Sequence, residues 1–163
     1  MLKAVLDTNV LVSSLLVKAG LPARVVDAWR QQQYTLVTSP DLLAEVRATL
    51  NYPRLRRKYA LTDEDVEQLI NLLEHDTLVV PGQAQVPGVV PPDPADEKVL
   101  ACAVDAEAGV IVSGDEHLLA LGDYQGIPIL TARAFLERLA GEGQPSRRAL
   151  GARSVPAALA AAS

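Results

Sequence analysis

The sequence predicts an α/β protein in three layers (α/β/α), with a central parallel β-sheet between two layers of helices. Three observations predict it. Short aliphatic runs of strand length alternate with stretches whose apolar residues recur at helical spacing, the pattern of a parallel sheet covered on both faces. Apolar residues make up 49% of the chain and aromatic residues only 4%, so the core is aliphatic. At 163 residues the chain fits one domain, long enough to bury roughly 70% of the surface its unfolded form exposes.

The elements follow in order. Lys3 to Leu6 reads as a short buried strand, and the apolar stretch from Val10 to Val17 as a helix by its length. Pro22 sits in the first turn of a second helix that carries Val25, Val26 and Trp29. Tyr34 to Thr38 is the next strand. Ser39 and Pro40 are an N-cap and first-turn pair opening a helix with Leu42, Leu43, Val46 and Leu50 inward and Glu45 in its second turn. Pro53 is expected to end that helix. Thr62 and Asp65 resemble a capping box opening another, with Val66, Leu69, Ile70 and Leu73 at helical spacing, so the two form a helical hairpin. Leu78 to Val80 is extended, and residues 81–92 are a Pro- and Gly-rich loop. Asp93-Pro94 starts a helix to about Glu107; Val110 to Ser113 is a strand, broken by Gly114-Asp115; a short helix ends near Leu121. Ile127 to Leu130 is the last strand, and Thr131 caps a helix through Leu139. Residues 1–139 therefore form the domain, and residues 140–163, rich in Gly, Ala, Ser and Pro, read as a disordered tail.

Charge and cysteine content narrow the function classes. The net charge of −5 argues against a protein that coats nucleic acid by charge alone. Yet Arg47, Arg54, Arg56, Arg57 and Lys58 form a locally basic run that contains no acidic residue. The single cysteine, Cys102, lies in an apolar helical pattern, which suits a buried structural thiol in a reducing cytoplasm. No stretch approaches the roughly 20 apolar residues of a membrane span.

Four carboxylates carry the functional argument. Asp7 follows the first strand, Glu45 lies early in the helix after the second, Asp96 occupies the first turn of "DPADEKVLACAV", and Asp115 follows "VIVSG". In a parallel sheet these places gather at one edge, beyond the carboxyl ends of the strands, where ligands collect. Each also has a plain structural reading. Asp7 and Asp115 could cap helices, Asp96 could complement a helix dipole, and Glu45 could be a solvated helix residue. Their joint placement favours a site. Carboxylates brought together repel unless a cation compensates, and an all-oxygen donor set suits Mg²⁺ or Mn²⁺. His75 and His117 are far apart and read as surface or packing residues.

At these residues a resemblance enters. "LDTNVLVS", "SPDLLAEV", "DPADEKVLACAV" and "VIVSGDEHLL", in this order, resemble the four acidic motifs of PIN-domain proteins over about residues 1–139. They are most similar to the group regarded as toxins of prokaryotic toxin–antitoxin pairs. The resemblance implies a PIN-like fold and a metal-dependent ribonuclease preferring single strands. It places Asp7, Glu45, Asp96 and Asp115 on the family's acidic positions, with Asn9 and Ser113 on polar positions beside them; Asp93 and Glu97 flank Asp96 and compete for its position. Asp7, Asp96 and Asp115 would chiefly hold Mg²⁺ or Mn²⁺, and Glu45 would orient water or complete the shell. A homodimer and an antitoxin protein are expected partners at the family level.

The basic run has two readings, a solvated helix face with its connecting loop or a track for a phosphate backbone, with Tyr52 and Tyr59 offering stacking surfaces. Alternatives to the ribonuclease are an inactive PIN-like module binding RNA or protein and a structure-specific DNA nuclease. "DTN" lacks the second aspartate of haloacid-dehalogenase chemistry, and neither GxxxxGK[ST] nor GxGxxG occurs.

Overall fold

A computed structural model describes residues 1–87 and 94–142. The described residues fall into two compact units, one up to Ala132 and one from Arg133 onwards. The first runs β1 (Lys3–Leu6), α1 (Thr8–Leu16), α2 (Leu21–Arg30), β2 (Thr35–Thr38), α3 (Pro40–Leu50), α4 (Pro53–Lys58), α5 (Asp63–His75) and β3 (Leu78–Val79). It continues with α6 (Pro94–Ala106), β4 (Val110–Val112), α7 (Glu116–Leu121), β5 (Asp123–Tyr124) and β6 (Ile127–Leu130). The second unit begins within α8 (Ala132–Glu142), in which Arg138 Nε donates to Glu142 Oε2 at 3.0 Å. This helix continues past the expected Leu139 to Glu142, the last of the described residues; the remainder of the proposed tail lies outside them.

The strands make one sheet in the order β3-β2-β1-β4-β6-β5. Every neighbouring pair is parallel except β5 with β6. Helices flank this mostly parallel sheet in the three-layer arrangement that the sequence predicts. The antiparallel edge is the departure from it. Tyr124 pairs with Ile127 across a two-residue turn at Gln125 and Gly126. Both turn residues have positive φ, 51° and 85°, the condition for a tight hairpin whose twist matches its strands.

Local chemistry sets several element ends. The Ser39 side chain accepts from the Leu42 N–H, capping α3, and Thr62 with Asp65 completes a capping box on α5. Pro53 proves to open α4 rather than simply close α3: it occupies the first turn, where its missing N–H costs nothing. The basic run is therefore largely helical.

Burial holds the sheet in place. Val5, Val37, Ile111 and Ile129 lie on one face with Val99, Leu100, Cys102 and Ala103 of α6 and Leu42 of α3. Strand alternation sends Ala4, Leu36 and Val110 to the other face, and all three are fully buried. Each large aliphatic side chain so buried contributes about 1.5–3 kcal/mol. A rigid sheet follows, and the strand order reverses on either side of β1. The crevice between β1 and β4, at their carboxyl ends, is thus where this topology presents side chains to a ligand.

Candidate active site

Asp7 is the first residue beyond β1. Its backbone N–H donates to Val112 O at 2.9 Å, so β1 and β4 remain joined up to the edge. It stands at the N-cap position of α1 with extended backbone, yet its side chain does not make the usual N-cap hydrogen bond. Oδ2 instead accepts from Ser113 Oγ at 2.8 Å, across 106 positions of sequence. Ser113 is fully buried, and its Oγ accepts the Asp115 backbone N–H at 2.9 Å. One hydroxyl thus ties the end of β1 to the turn after β4.

The electrostatics of Asp7 are those of a charge held against its preference. Burial raises its pKa, the hydrogen bonds from Ser113 and the Thr8 backbone pull it down, and the charges of Asp115 and Glu45 push it up again. Glu45 is half-buried on α3, and its Oε1 is sealed from solvent with no hydrogen-bond partner. Sealed acceptors without donors are uncommon in proteins and call for a ligand, an ion or a functional reason.

Asp96 is 5% exposed in the first turn of α6. Its carboxylate, that of Asp115 and a ring nitrogen of His117 offer ligand atoms within 4.8 Å of one another. Asp115 also caps α7, its Oδ1 accepting the His117 N–H at 2.7 Å, so its structural and site roles coincide. The expected four carboxylates therefore fall at one edge. Asn9 is exposed in the first turn of α1. Glu97, the rival of Asp96, is half-buried and lines a separate open cleft with Asp41, Gln83 and Lys98. Asp93 lies outside the described residues.

Sequence reasoning set His117 aside as a surface or packing residue, and its side chain is 74% exposed. What it missed is the position of the ring, beside Asp96 and Asp115. The available signal was the spacing: a histidine two residues after a capping aspartate starts the same short helix.

The basic run separates into two classes. Arg47 pairs with Glu67, and Arg56 donates to Leu50 O, Asn51 Oδ1 and Asp63 Oδ1. Arg54, Arg57 and Lys58 are exposed, with Lys58 Nζ 5.4 Å from the Tyr59 ring centre and Tyr52 59% exposed.

The donor set fits a divalent ion. Buried, mutually repelling carboxylates and an unpartnered Glu45 oxygen are the features that a hard cation would satisfy. No single described helix is long and apolar enough to cross a membrane.

Comparison with known proteins bears on the fold and the family. The chain is 27% identical over 122 residues to an uncharacterized protein of Methanocaldococcus jannaschii, a match covering 75% of this chain and 76% of that relative. Its fold is similar to a chain in the crystal structure of VapBC2 from Rickettsia felis bound to a DNA fragment from their promoter. The TM-score is 0.53 at 11% identity, covering 80% of this chain and 98% of that one. The PIN-domain family model matches residues 3–117, which include all four carboxylates. The chain belongs to the PIN-domain family, whose members are generally nucleases.

Proposed function

We propose that the protein is a Mg²⁺- or Mn²⁺-dependent endoribonuclease that hydrolyses phosphodiesters of single-stranded RNA, acting in the cytoplasm as the toxin of a toxin–antitoxin pair. The observation that carries the catalytic part is Asp7, a carboxylate kept buried beside Glu45 and Asp115 at the switch point of the sheet, with a hydroxyl as its side-chain donor. Its partners are the Ser113 hydroxyl across the sheet edge and the adjacent Thr8 backbone, while the charges of Asp115 and Glu45 act on it.

Asp7, Asp96 and Asp115 would hold the ion. A divalent cation bound there supplies charge stabilisation to a phosphoryl group and makes a water nucleophilic near neutral pH. Ser113 fixes the rotamer of Asp7 by donating to Oδ2, so this carboxylate is oriented before substrate arrives. Glu45, whose Oε1 has no other hydrogen-bond partner, would orient a water or complete the shell of the ion. Arg54, Arg57 and Lys58 are exposed cations available to the RNA backbone, and Tyr52 is a stacking surface for an unpaired base. Arg47 and Arg56 are candidates that must first give up internal partners. The likeness of fold to the VapBC2 chain supports an antitoxin protein as partner, and a homodimer would extend the basic surface.

The test combines cleavage with stability. Purified full-length protein is incubated with single-stranded RNA and DNA, with Mn²⁺ and with chelator. RNA is cleaved, only with metal, and DNA is spared. In thermal unfolding, Mn²⁺ at 100-fold above its dissociation constant stabilises wild type by about 2.7 kcal/mol, and Asp7→Asn gains much less. Equal metal responses together with retained cleavage by Asp7→Asn would overturn the reading.

A further inference from the structure

We infer that His117 is a metal-binding residue of this site, adding an imidazole nitrogen to Asp96 and Asp115 and so favouring first-row transition ions over Mg²⁺. The inference rests on the metal-dependent reading above and adds a residue and an ion preference to it.

Three observations support it. The ligand atoms of Asp96, Asp115 and His117 lie within 4.8 Å of one another. Ligands sharing one ion at bonds of about 2.0–2.2 Å stand no more than roughly 4.4 Å apart, so small rotations of the half-buried Asp115 and the exposed His117 side chains bring all three onto one ion. Next, the ring is not held by its neighbour. His117 Nδ1 is 3.5 Å from Asp115 Oδ1, too long for a strong hydrogen bond, and that oxygen already accepts the His117 backbone N–H at 2.7 Å. The backbone bond brings the imidazole to the acids and leaves the ring free to turn. Independently of this trio, the charges of both Asp115 and Glu45 bear on the buried Asp7, and Glu45 Oε1 is sealed without a partner, an acceptor that points to a cation among these acids.

The ion preference follows from ligand chemistry. Carboxylate oxygens alone suit Mg²⁺ and Mn²⁺, whereas imidazole binds more tightly along the series Mn²⁺, Co²⁺, Ni²⁺. A site of two buried or half-buried carboxylates and one imidazole therefore gains most from His117 with Co²⁺ and least with Mg²⁺.

Calorimetric titration of the full chain with Mg²⁺, Mn²⁺ and Co²⁺ reads this directly, together with the visible spectrum of the Co²⁺ form. His117→Ala is expected to keep Mg²⁺ affinity within about twofold and to lose Co²⁺ affinity about tenfold or more, with Mn²⁺ between and the Co²⁺ spectrum altered. His117→Gln, which offers an oxygen in place of the ring, should shift preference toward Mg²⁺ in the same direction. Asp96→Asn should weaken all three ions together. An unchanged Co²⁺-to-Mg²⁺ ratio in both His117 variants overturns this inference and leaves the nuclease reading standing. Failure of wild type to bind any of the three ions overturns both.

Discussion

Two clusters of like charge stand on the same unit and are treated in opposite ways. At the carboxyl ends of β1 and β4, Asp7 is buried and receives a hydroxyl and a neighbouring backbone N–H, while the charges around it are negative. On the arm formed by the end of α3, α4 and the start of α5, Arg47 and Arg56 are matched by Glu67 and Asp63, and Arg56 also meets a backbone carbonyl and an amide oxygen. The difference separates chemistry from architecture. Charge that is neutralised locally stabilises a helix junction; charge kept beside its own kind raises the free energy of the fold and persists where a ligand offsets it.

The largest expected effect tests the acidic edge. Asp7→Asn should lower RNA cleavage by about 100-fold or more, beyond the usual range for an outer partner of a metal ligand. In chelator the variant should be at least as stable as wild type, because the substitution removes a buried charge while nearly keeping its shape. A variant that loses stability and cleavage in parallel would make Asp7 an architectural residue, like the arginines of the arm, and erase the contrast.

Next comes the arm itself. Arg54→Glu, Arg57→Glu and Lys58→Glu together should weaken RNA binding and flatten its salt dependence, by about 0.7 in the log–log slope for each phosphate of a single strand that is no longer neutralised. Arg56→Ala should behave differently, leaving that slope alone and destabilising the fold by about 0.5–1.5 kcal/mol through its lost hydrogen bonds. Binding isotherms at several salt concentrations and denaturant unfolding separate the two. If Arg56→Ala flattens the slope as strongly as the triple variant, the split between paired and exposed cations fails.

Much of the arm and the sheet was legible because the deciding chemistry is local. Ser39-Pro40 and Thr62 with Asp65 cap helices three residues away, and "KAVL" can do little but form a buried strand. The positions of Asp7, Asp96 and Asp115 were legible for a related reason, since each follows a strand or opens a helix of the sheet. What escaped was tertiary. The acidic partners of Arg56 and Arg47 are 7 and 20 residues distant on another helix, so the sequence left the run open between a solvated face and a phosphate track. Pro53 has the same local signature whether it stops one helix or starts the next. The strand at Asp123 and Tyr124 is two residues long and exists only by pairing with Ile127 and Pro128. His117 became interesting only when folding set its ring beside Asp96.

A subtler change within the acidic edge is Ser113→Ala. It removes one hydroxyl that serves two partners, leaving Asp7 Oδ2 without its donor and the Asp115 N–H without its acceptor. Cleavage should fall by about 10–100-fold, as for other outer partners of metal ligands. Stability should fall by about 1–3 kcal/mol for the stranded N–H. Ser113→Thr, which keeps the hydroxyl, should recover most of the cleavage if the buried site admits its methyl group. Measured kcat with unchanged KM would show loss of orientation rather than of substrate binding; full activity in the alanine variant would remove Ser113 from the site.

The smallest effect is the most direct reading of the contrast, because it compares one carboxylate from each cluster. The pKa of Asp7 is raised, chiefly by burial, whereas that of Asp65, in the capping box of the arm, is lowered, chiefly by the Thr62 backbone N–H. For Asp7 the folded chain holds its proton more tightly than the unfolded chain. Its favourable contribution is therefore complete below the ordinary value of 3.8 and is lost as pH rises through the raised folded value. For Asp65 the unfolded chain holds the proton more tightly, so its contribution is present above 3.8 and is lost as pH falls through the lowered folded value. Unfolding of Asp7→Asn, Asp65→Asn and wild type in chelator, from pH 3 to 7, should then give curves of opposite sense. Asp7→Asn gains on wild type as pH rises, and Asp65→Asn falls behind it over the same interval. Parallel curves would mean that the two carboxylates are held alike, and that the acidic edge carries no stored charge for a metal to relieve.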